Sequence, residues 1–278
     1  ESTADATNSA TAIADATADA TEGSDAEAYS NSIAGDYALA DSGAMAISSG
    51  DDSVAIATSD TDASHQATAY SDSVATVSGD DSVAIADSDA NAEDYTLADS
   101  DSIATVLGDD SVATSESDAS AIHQATAYSD ATATTINGGE STAISNSEAI
   151  DYTLADSSAI AIAEEDGSST AISDAIANHR ATAYSDAMAV AIEEDSIAYA
   201  ESTAVTENYA LSDSDAEAIA DEGGEAISIS DAISEDHASA IASSISEAIG
   251  DATAYAKAIA VALHYSGATA NVESSATS

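Results

Sequence analysis

The chain has 278 residues, of which 53 are Asp or Glu and two are Lys or Arg, for a formal net charge of -51. This charge argues against nucleic acid as a partner, because phosphate is repelled, and the lack of cysteine excludes disulfides and thiolate metal sites. No run approaches the roughly 18–20 apolar residues of a membrane-spanning helix, so no membrane span is predicted.

The N-terminal segment, residues 1–35, is rich in Ala, Thr and Asp and less regular than the rest. It opens on a polar stretch without an initiator Met, so we expect a mature chain from which a leader has been cleaved. We predict that this segment caps the main domain or donates strands to a neighbouring copy. Residues 268–278 are predicted to be a short polar tail.

The main domain, residues 36–267, repeats one line of 14 or 15 residues sixteen times. Four lines make one larger unit, and the units span 36–93, 94–150, 151–207 and 208–267. A short period held over this length is typical of a solenoid, in which each repeat stacks on the one before it. Function is then expected in a surface repeated along an axis.

We predict an all-β fold, a β-solenoid of the parallel β-roll type with one line per rung and about sixteen rungs. Short apolar runs such as Val83-Ala84-Ile85-Ala86 are bounded by Asp and Ser, which favour turns. Each rung of 14–15 residues would therefore hold two short strands and two tight turns. The core must be built mainly from Ala, because Phe, Trp, Cys and Pro are all absent.

Several predicted strands are apolar on both faces, which is typical of strands buried on both sides. One face would fill the interior of the roll and the other would be covered by another copy of the chain. An alternative is that alanine tolerates exposure. The residues predicted to mediate self-assembly are Val54, Ile56, Val83, Ile85, Ile160, Ile162, Val190 and Ile192.

The lines containing Ser53-Val54-Ala55-Ile56, Ser82-Val83-Ala84-Ile85 and Ser111-Val112-Ala113 resemble the repeats of trimeric autotransporter adhesin heads. The resemblance covers roughly residues 36–267, although the glycines of that family are mostly Asp or Ser here. It implies left-handed parallel β-rolls with about 14 residues per rung and three chains side by side.

Two sets of polar residues are candidate cation ligands. Stacked acidic turns offer the hard oxygen ligands that Ca²⁺ prefers, and a ring of imidazoles around a three-fold axis would suit a transition metal or an anion. The alternatives are a solvated acidic face and an inherited turn residue. The candidates are Asp51, Asp52, Asp80, Asp81, Asp109, Asp110, His65, His123, His179 and His237.

No catalytic grouping stands out from the repeated rows, so we expect no enzyme and no required cofactor beyond bound Ca²⁺ or other cations. The predicted function is a structural subunit of an extracellular or cell-surface filament that assembles with itself as a trimer, a filament or both. The alternative is an adhesin-like head that binds a cell-surface, polysaccharide or mineral partner through its acidic face. The acidity favours strong brine, where salt screens repulsion, or a surface neutralised by divalent cations.

Overall fold

The computed structural model describes residues 1–6, 11–21, 23–35, 39–66, 68–93, 97–123, 126–137, 139–151, 154–164, 167–179, 182–192, 197–207, 211–221, 224–235, 239–249, 253–263 and 267–277. Within these ranges the regular elements are twenty β-strands in two parallel ten-stranded sheets. The same ranges contain no helix that would cross a membrane. The chain is therefore a β-solenoid, and the predicted fold class is confirmed.

The strands alternate between the two sheets along the chain. Sheet 1 contains β1 Ser2–Ala6, β3 Ala26–Ala34, β5 Val54–Ser64, β7 Val83–Glu93, β9 Ser111–Ile122, β11 Gly139–Ile150, β13 Ser168–Asn178, β15 Ile197–Glu207, β17 Glu225–Glu235 and β19 Thr253–Ala262. Sheet 2 contains β2 Thr11–Thr21, β4 Leu39–Ser49, β6 Thr68–Ser78, β8 Leu97–Leu107, β10 Thr126–Ile136, β12 Leu154–Glu164, β14 Thr182–Ile192, β16 Leu211–Ala220, β18 Ser239–Ile249 and β20 Gly267–Thr277.

One coil of the solenoid consists of two strands, one from each sheet. Each strand pairs with the strand two places along the chain, so that Val54 lies beside Val83 and Leu154 beside Thr182. A coil thus takes 28 or 29 residues, and the prediction of two strands within each 14–15-residue line is wrong. The sixteen lines of residues 36–267 are the sixteen strands β4 to β19, which make eight coils rather than sixteen rungs.

The difference arises from the Ser-Asp pairs that we interpreted as turns. Ser88 and Asp89 lie in the middle of β7, where the Ser side chain is fully buried and the Asp side chain points outward. The Ser hydroxyl donates a hydrogen bond to the main-chain carbonyl of Ser71 in the facing sheet, at 2.5 Å. Because this bond satisfies the buried hydroxyl, the strand continues through the pair.

The interior between the sheets is filled mainly by alanine and serine, and the largest fully buried side chains among the described residues are Val77 and Val106. Side chains this small allow the two sheets to lie close together. Area-based hydrophobic stabilisation per residue is correspondingly small. Main-chain hydrogen bonds in every coil and the buried serines therefore carry much of the cohesion.

The buried serines form a continuous chain of hydroxyls through the core, which we call the serine ladder. Each hydroxyl donates to the carbonyl of a serine in the facing sheet, as Ser157 does to Ser145 at 2.6 Å and Ser173 to Ser157 at 2.7 Å. Successive Oγ atoms lie 2.9–3.1 Å apart along Ser100, Ser117, Ser129, Ser145, Ser157, Ser173, Ser185, Ser202, Ser214 and Ser230. The ladder ties the two sheets to each other and fixes their relative register.

The segments flanking the main domain belong to the same solenoid. Residues 1–35 contain β1 to β3, which pair with strands of this chain, and their donation to a neighbouring copy stays a prediction. Of the residues predicted as a polar tail, 268–277 lie within β20, which pairs in parallel with β18, and residue 278 lies outside the described residues.

Candidate functional surface

Outward side chains form straight columns on both sheets, because successive strands pair in parallel with little or no offset. Neighbouring strands of a sheet lie about 4.8 Å apart, so the side chains of one column stack at that spacing. Any chemical property of a column is therefore repeated along the solenoid axis.

The outer face of sheet 1 carries a column of carboxylates that we call the sheet 1 ladder. Burial, followed by the nearby charges of Asp87 and Asp118, raises the pKa of Asp89 to about 7. A shallow groove lined by Asp89, Asp118, Glu148 and Asp174 runs over this face. The ladder consists of Asp60, Asp89, Asp118, Asn146 and Asp174, in register on β5 to β13.

Sheet 2 carries a second set of carboxylates in two adjacent columns, the sheet 2 ladder. Burial and the neighbours Asp101 and Asp72 raise the pKa of Asp99 to about 6, and burial with Asp130 and Asp72 raises the pKa of Asp101 to about 6. One column alternates Asp and Tyr on β4 to β14: Asp41, Tyr70, Asp99, Tyr128, Asp156 and Tyr184. The other is Gly43, Asp72, Asp101, Asp130, Ser158 and Asp186.

Beside the sheet 2 ladder lies a lengthwise band that we call the apolar stripe. Its first column is Met45, Val74, Ile103, Thr132, Ile160 and Met188, and its second is Ile47, Thr76, Thr105, Thr134, Ile162 and Val190. Met45, Ile47, Ile103 and Met188 are each about two-fifths exposed, at 38–43%. None of the twelve residues is charged, whereas seven of the twelve residues of the ladder are Asp.

The residues predicted for self-assembly all lie on outer faces, but on two different ones. Val54, Ile56, Val83 and Ile85 stack as two pairs on sheet 1, on β5 and β7. Ile160, Ile162, Val190 and Ile192 lie on sheet 2, where the first three belong to the apolar stripe. Alanines from the same runs fill the interior, so these strands are apolar on both faces, and the role of the outward residues stays a prediction.

The paired aspartates predicted as cation ligands form the turns that lead from sheet 2 back to sheet 1. Asp52, Asp81 and Asp110 have positive φ angles of 58°, 54° and 52°, a conformation that Asp tolerates better than most residues. The preceding aspartates stack: the Asp109 amide donates to Asp80 Oδ1 at 3.0 Å, and the Asp80 amide to Asp51 Oδ1 at 3.3 Å. These residues thus have a structural role in holding consecutive turns together.

Three of the predicted histidines, His65, His123 and His179, lie in the opposite turns, from sheet 1 to sheet 2, again with positive φ angles. His123 and His179 are two coils apart, about 10 Å at strand spacing rather than the four rungs and about 19 Å that the sequence suggested. Asp151 lies between them, with Oδ2 3.8 Å from His123 Nε2 and Oδ1 3.4 Å from His179 Nδ1. His65 occupies the same kind of turn, and His237 lies outside the described residues.

In the part of the chain that the structure describes, no three His, Asp or Glu side chains are grouped closely enough to hold a metal ion. Calcium in the acidic turns and an imidazole ring between chains both stay predictions. The single chain brings together stacked carboxylates, and burial raises the pKa values of several of them, such as Asp60, Asp89, Asp99 and Asp101. Such groups bind protons more readily than isolated carboxylates, and their repulsion is relieved by cations in solution.

Sequence reasoning missed the serine ladder, the alternating Asp and Tyr column and the charge-free stripe. The signal for all three was present in the spacing: residues 28 or 29 apart share a column, so aligning alternate lines places Tyr70 between Asp41 and Asp99. Each line and the next one belong to different sheets, so their residues share no column. Comparison with known protein families, curated protein sequences and solved structures gives no match to this chain.

Proposed function

We propose that the chain is a structural subunit of an extracellular or cell-surface filament that assembles with itself through its acidic β-solenoid. The observation that carries the proposal is the pairing of the outermost strands. In the described chain β1, β2, β19 and β20 each pair with a strand on one side, and a free strand edge is a template for a further strand. Each coil repeats the same parallel geometry, so an added copy would continue both sheets.

The acidic ladders support a high-salt setting for this filament. Stacked carboxylates at about 4.8 Å repel one another strongly in dilute buffer. At about 1 M salt the Debye length falls to about 3 Å and the repulsion between exposed groups is largely screened. We therefore propose that the filament works in brine, or where divalent cations such as Ca²⁺ neutralise the ladders.

Electron microscopy of the purified chain tests the filament. In about 3 M NaCl, where screening is strong, we expect unbranched fibres much longer than the roughly 48 Å of ten stacked coils. Fibre diffraction should show the strand spacing of about 4.8 Å along the fibre axis. Particles of one constant length of about 48 Å would contradict the filament.

A matched pair of variants checks that growth uses the strand edge. Proline removes a main-chain donor, and alternate residues of a parallel strand bond to opposite sides. We would compare two double variants of β20. One carries Thr269→Pro and Asn271→Pro, and the other carries Ala268→Pro and Ala270→Pro. One of these variants replaces the two residues whose main-chain N–H groups point away from β18. That variant should stop fibre growth without changing the circular dichroism spectrum.

A second candidate is an adhesin-like head that holds a cell-surface, polysaccharide or mineral partner. The groove lined by Asp89, Asp118, Glu148 and Asp174 favours it, because close carboxylates attract cations displayed on a mineral or bridging a polysaccharide. Adsorption to a calcium mineral tests this candidate. Asp89→Asn with Asp118→Asn should weaken adsorption, while Asp72→Asn with Asp101→Asn on the other sheet should leave it unchanged.

A further inference from the structure

We propose that the apolar stripe of sheet 2 is an interface through which two copies of this chain pair side by side with their axes parallel. The inference rests on the proposed function, because it requires a self-assembling chain. It adds a lateral contact to the axial growth described above. The partner is a second copy of the same solenoid, and the contact surface is the twelve residues of the stripe.

The first support is the distribution of charge on sheet 2. The chain has 53 acidic residues, yet the two columns of the stripe carry none over six consecutive strands. The two columns beside them carry seven Asp over the same strands. Eight of the twelve stripe residues are Ile, Val or Met, and four are Thr. A band of this kind keeps the apolar area continuous where like charges would otherwise repel a second copy.

The outer face of sheet 1 lacks an equivalent band. One of its columns, which includes Ile56, Ile85 and Thr114, is free of charge from β5 to β19, although Glu27 on β3 precedes it. Acidic residues interrupt the columns on both sides. Glu140 interrupts the column of Val54, Val83 and Val112, and the column on the other side contains Asp87, Glu116 and Glu201. The contact between copies is therefore assigned to sheet 2.

The size of the stripe indicates how strong the contact is. Two columns over six strands cover about 13 Å by about 29 Å, roughly 400 Å² per copy. A stable pair of proteins usually buries about 800 Å² per partner, so one pair of chains binds weakly. In a filament, copies joined end to end place several stripes along one side. Once one stripe binds a second filament, the other stripes are held close to their partners, so the combined contact is much stronger than a single one. Lateral pairing is thus expected between filaments rather than between single chains.

The charges also select the relative direction of the two copies. A two-fold axis parallel to the solenoid axes brings stripe onto stripe and places the two sheet 2 ladders at opposite rims. A two-fold axis perpendicular to them, which makes the solenoids antiparallel, brings ladder onto ladder. The second arrangement lays the seven Asp of one ladder against the seven of the other and sets Asp101 of each copy opposite Asp130 of the other copy. Close like charges across an interface are unfavourable. The parallel arrangement is therefore the one proposed.

Electron microscopy of charge-insertion variants tests the contact. The stripe variant is Ile160→Asp with Met188→Asp, two stacked residues of β12 and β14. The matched control is Ile144→Asp with Ile172→Asp, two stacked outward residues of sheet 1 that are not among the predicted self-assembly residues. Wild-type fibres should be paired, the stripe variant should give fibres of half that width, and the control should match the wild type. If the stripe variant fails to fold, Ile160→Thr with Met188→Thr replaces it, because Thr132 already occupies that column.

The outcomes separate this inference from the proposed function. Wild-type fibres that are single, or paired fibres that the stripe variant leaves paired, would overturn the lateral interface and leave the filament standing. Discrete wild-type particles would overturn the filament, and particles with the mass of one chain would overturn the interface as well.

A crosslinking experiment tests the direction. The chain has no cysteine, so single cysteines can be placed at Thr76→Cys on β6 and Ile162→Cys on β12, at equivalent depths from the two ends of the stripe. In parallel pairs each variant should crosslink to itself with a short thiol-reactive linker, at least tenfold more than Thr142→Cys on sheet 1. Crosslinking that appears only when the two variants are mixed would show antiparallel pairs and overturn the proposed arrangement.

Discussion

The serine ladder and the acidic ladders are built from neighbouring residues of the same strands, yet they affect the solenoid in opposite ways. In β7, Ser88 points inward and Asp89 outward. The Ser hydroxyl donates to the facing sheet and is fully buried. Asp89 stacks between Asp60 and Asp118, and burial, followed by the nearby charges of Asp87 and Asp118, raises its pKa to about 7.

At strand spacing, stacked groups that both donate and accept hydrogen bonds stabilise the solenoid, whereas stacked like charges destabilise it. A hydroxyl both donates and accepts, so one hydroxyl satisfies the next along the core. A carboxylate only accepts, so each added coil increases the repulsion. We therefore expect the interior to set the stability of the solenoid and the outer faces to set its dependence on solvent.

The largest expected effect is the response to salt. After dialysis to about 10 mM salt with a chelator, the Debye length is about 30 Å. Every carboxylate of a ladder is then repelled by several others. We expect the β-sheet signal in circular dichroism to be lost at neutral pH. Full retention of structure after this treatment would contradict the proposal.

The same dialysis distinguishes screening from cation binding. If the ladders are only screened, recovery should need NaCl near molar concentration. If calcium binds specifically, millimolar CaCl₂ should restore the fold on its own.

A core substitution with a matched control on the surface sharpens the comparison. Ser157 and Ser158 are adjacent in β12, the first fully buried in the serine ladder and the second directed outward. Ser157→Val removes the hydroxyl that donates to the Ser145 carbonyl and lies within hydrogen-bond distance of the Ser145 and Ser173 hydroxyls, and it adds volume to a close-packed site. We therefore expect a loss of roughly 2–4 kcal/mol of unfolding free energy. Ser158→Val should stay within about 0.5 kcal/mol. Urea unfolding measures the free energy of unfolding of both variants. Equal losses would show that the serine ladder contributes no more to stability than an exposed serine does.

The smallest expected effect is the pH dependence of the sheet 1 ladder. The folded-state pKa of Asp89, about 7, lies above the unfolded value of about 3.9. The folded state therefore binds more protons between these values, and stability should rise as pH falls from about 7 to about 4 and level off below that. Asp89→Asn should flatten this rise, and urea unfolding at fixed salt measures it.

The control for the pH experiment lies in the same column. Asn146 occupies the position between Asp118 and Asp174, so Asn146→Asp completes the ladder with one more carboxylate. We expect this variant to be less stable than wild type above pH 7 and to gain more on acidification. A wild-type profile that falls toward pH 5 would contradict the sign of the argument.

The sequence by itself determined the repeat, the parallel β-solenoid and the small-residue core, because register kept over sixteen lines leaves few other folds. It also showed that residues such as Ile56 and Ile160 lie in strands apolar on both faces. It did not determine the coil length. A period-two pattern looks the same in a strand of five residues and in one of eleven, and Ser-Asp is compatible with a turn and with a strand.

Only the tertiary structure decided these points, because they depend on what the facing sheet offers. The carbonyl of Ser71 satisfies the Ser88 hydroxyl, so the strand runs through Ser88-Asp89 and the coil takes two lines instead of one. The doubled coil then places Ile56 and Ile160 on opposite outer faces, and sets Asp151 between His123 and His179. Contacts between residues 28 apart are set by coil length, which local sequence patterns do not encode.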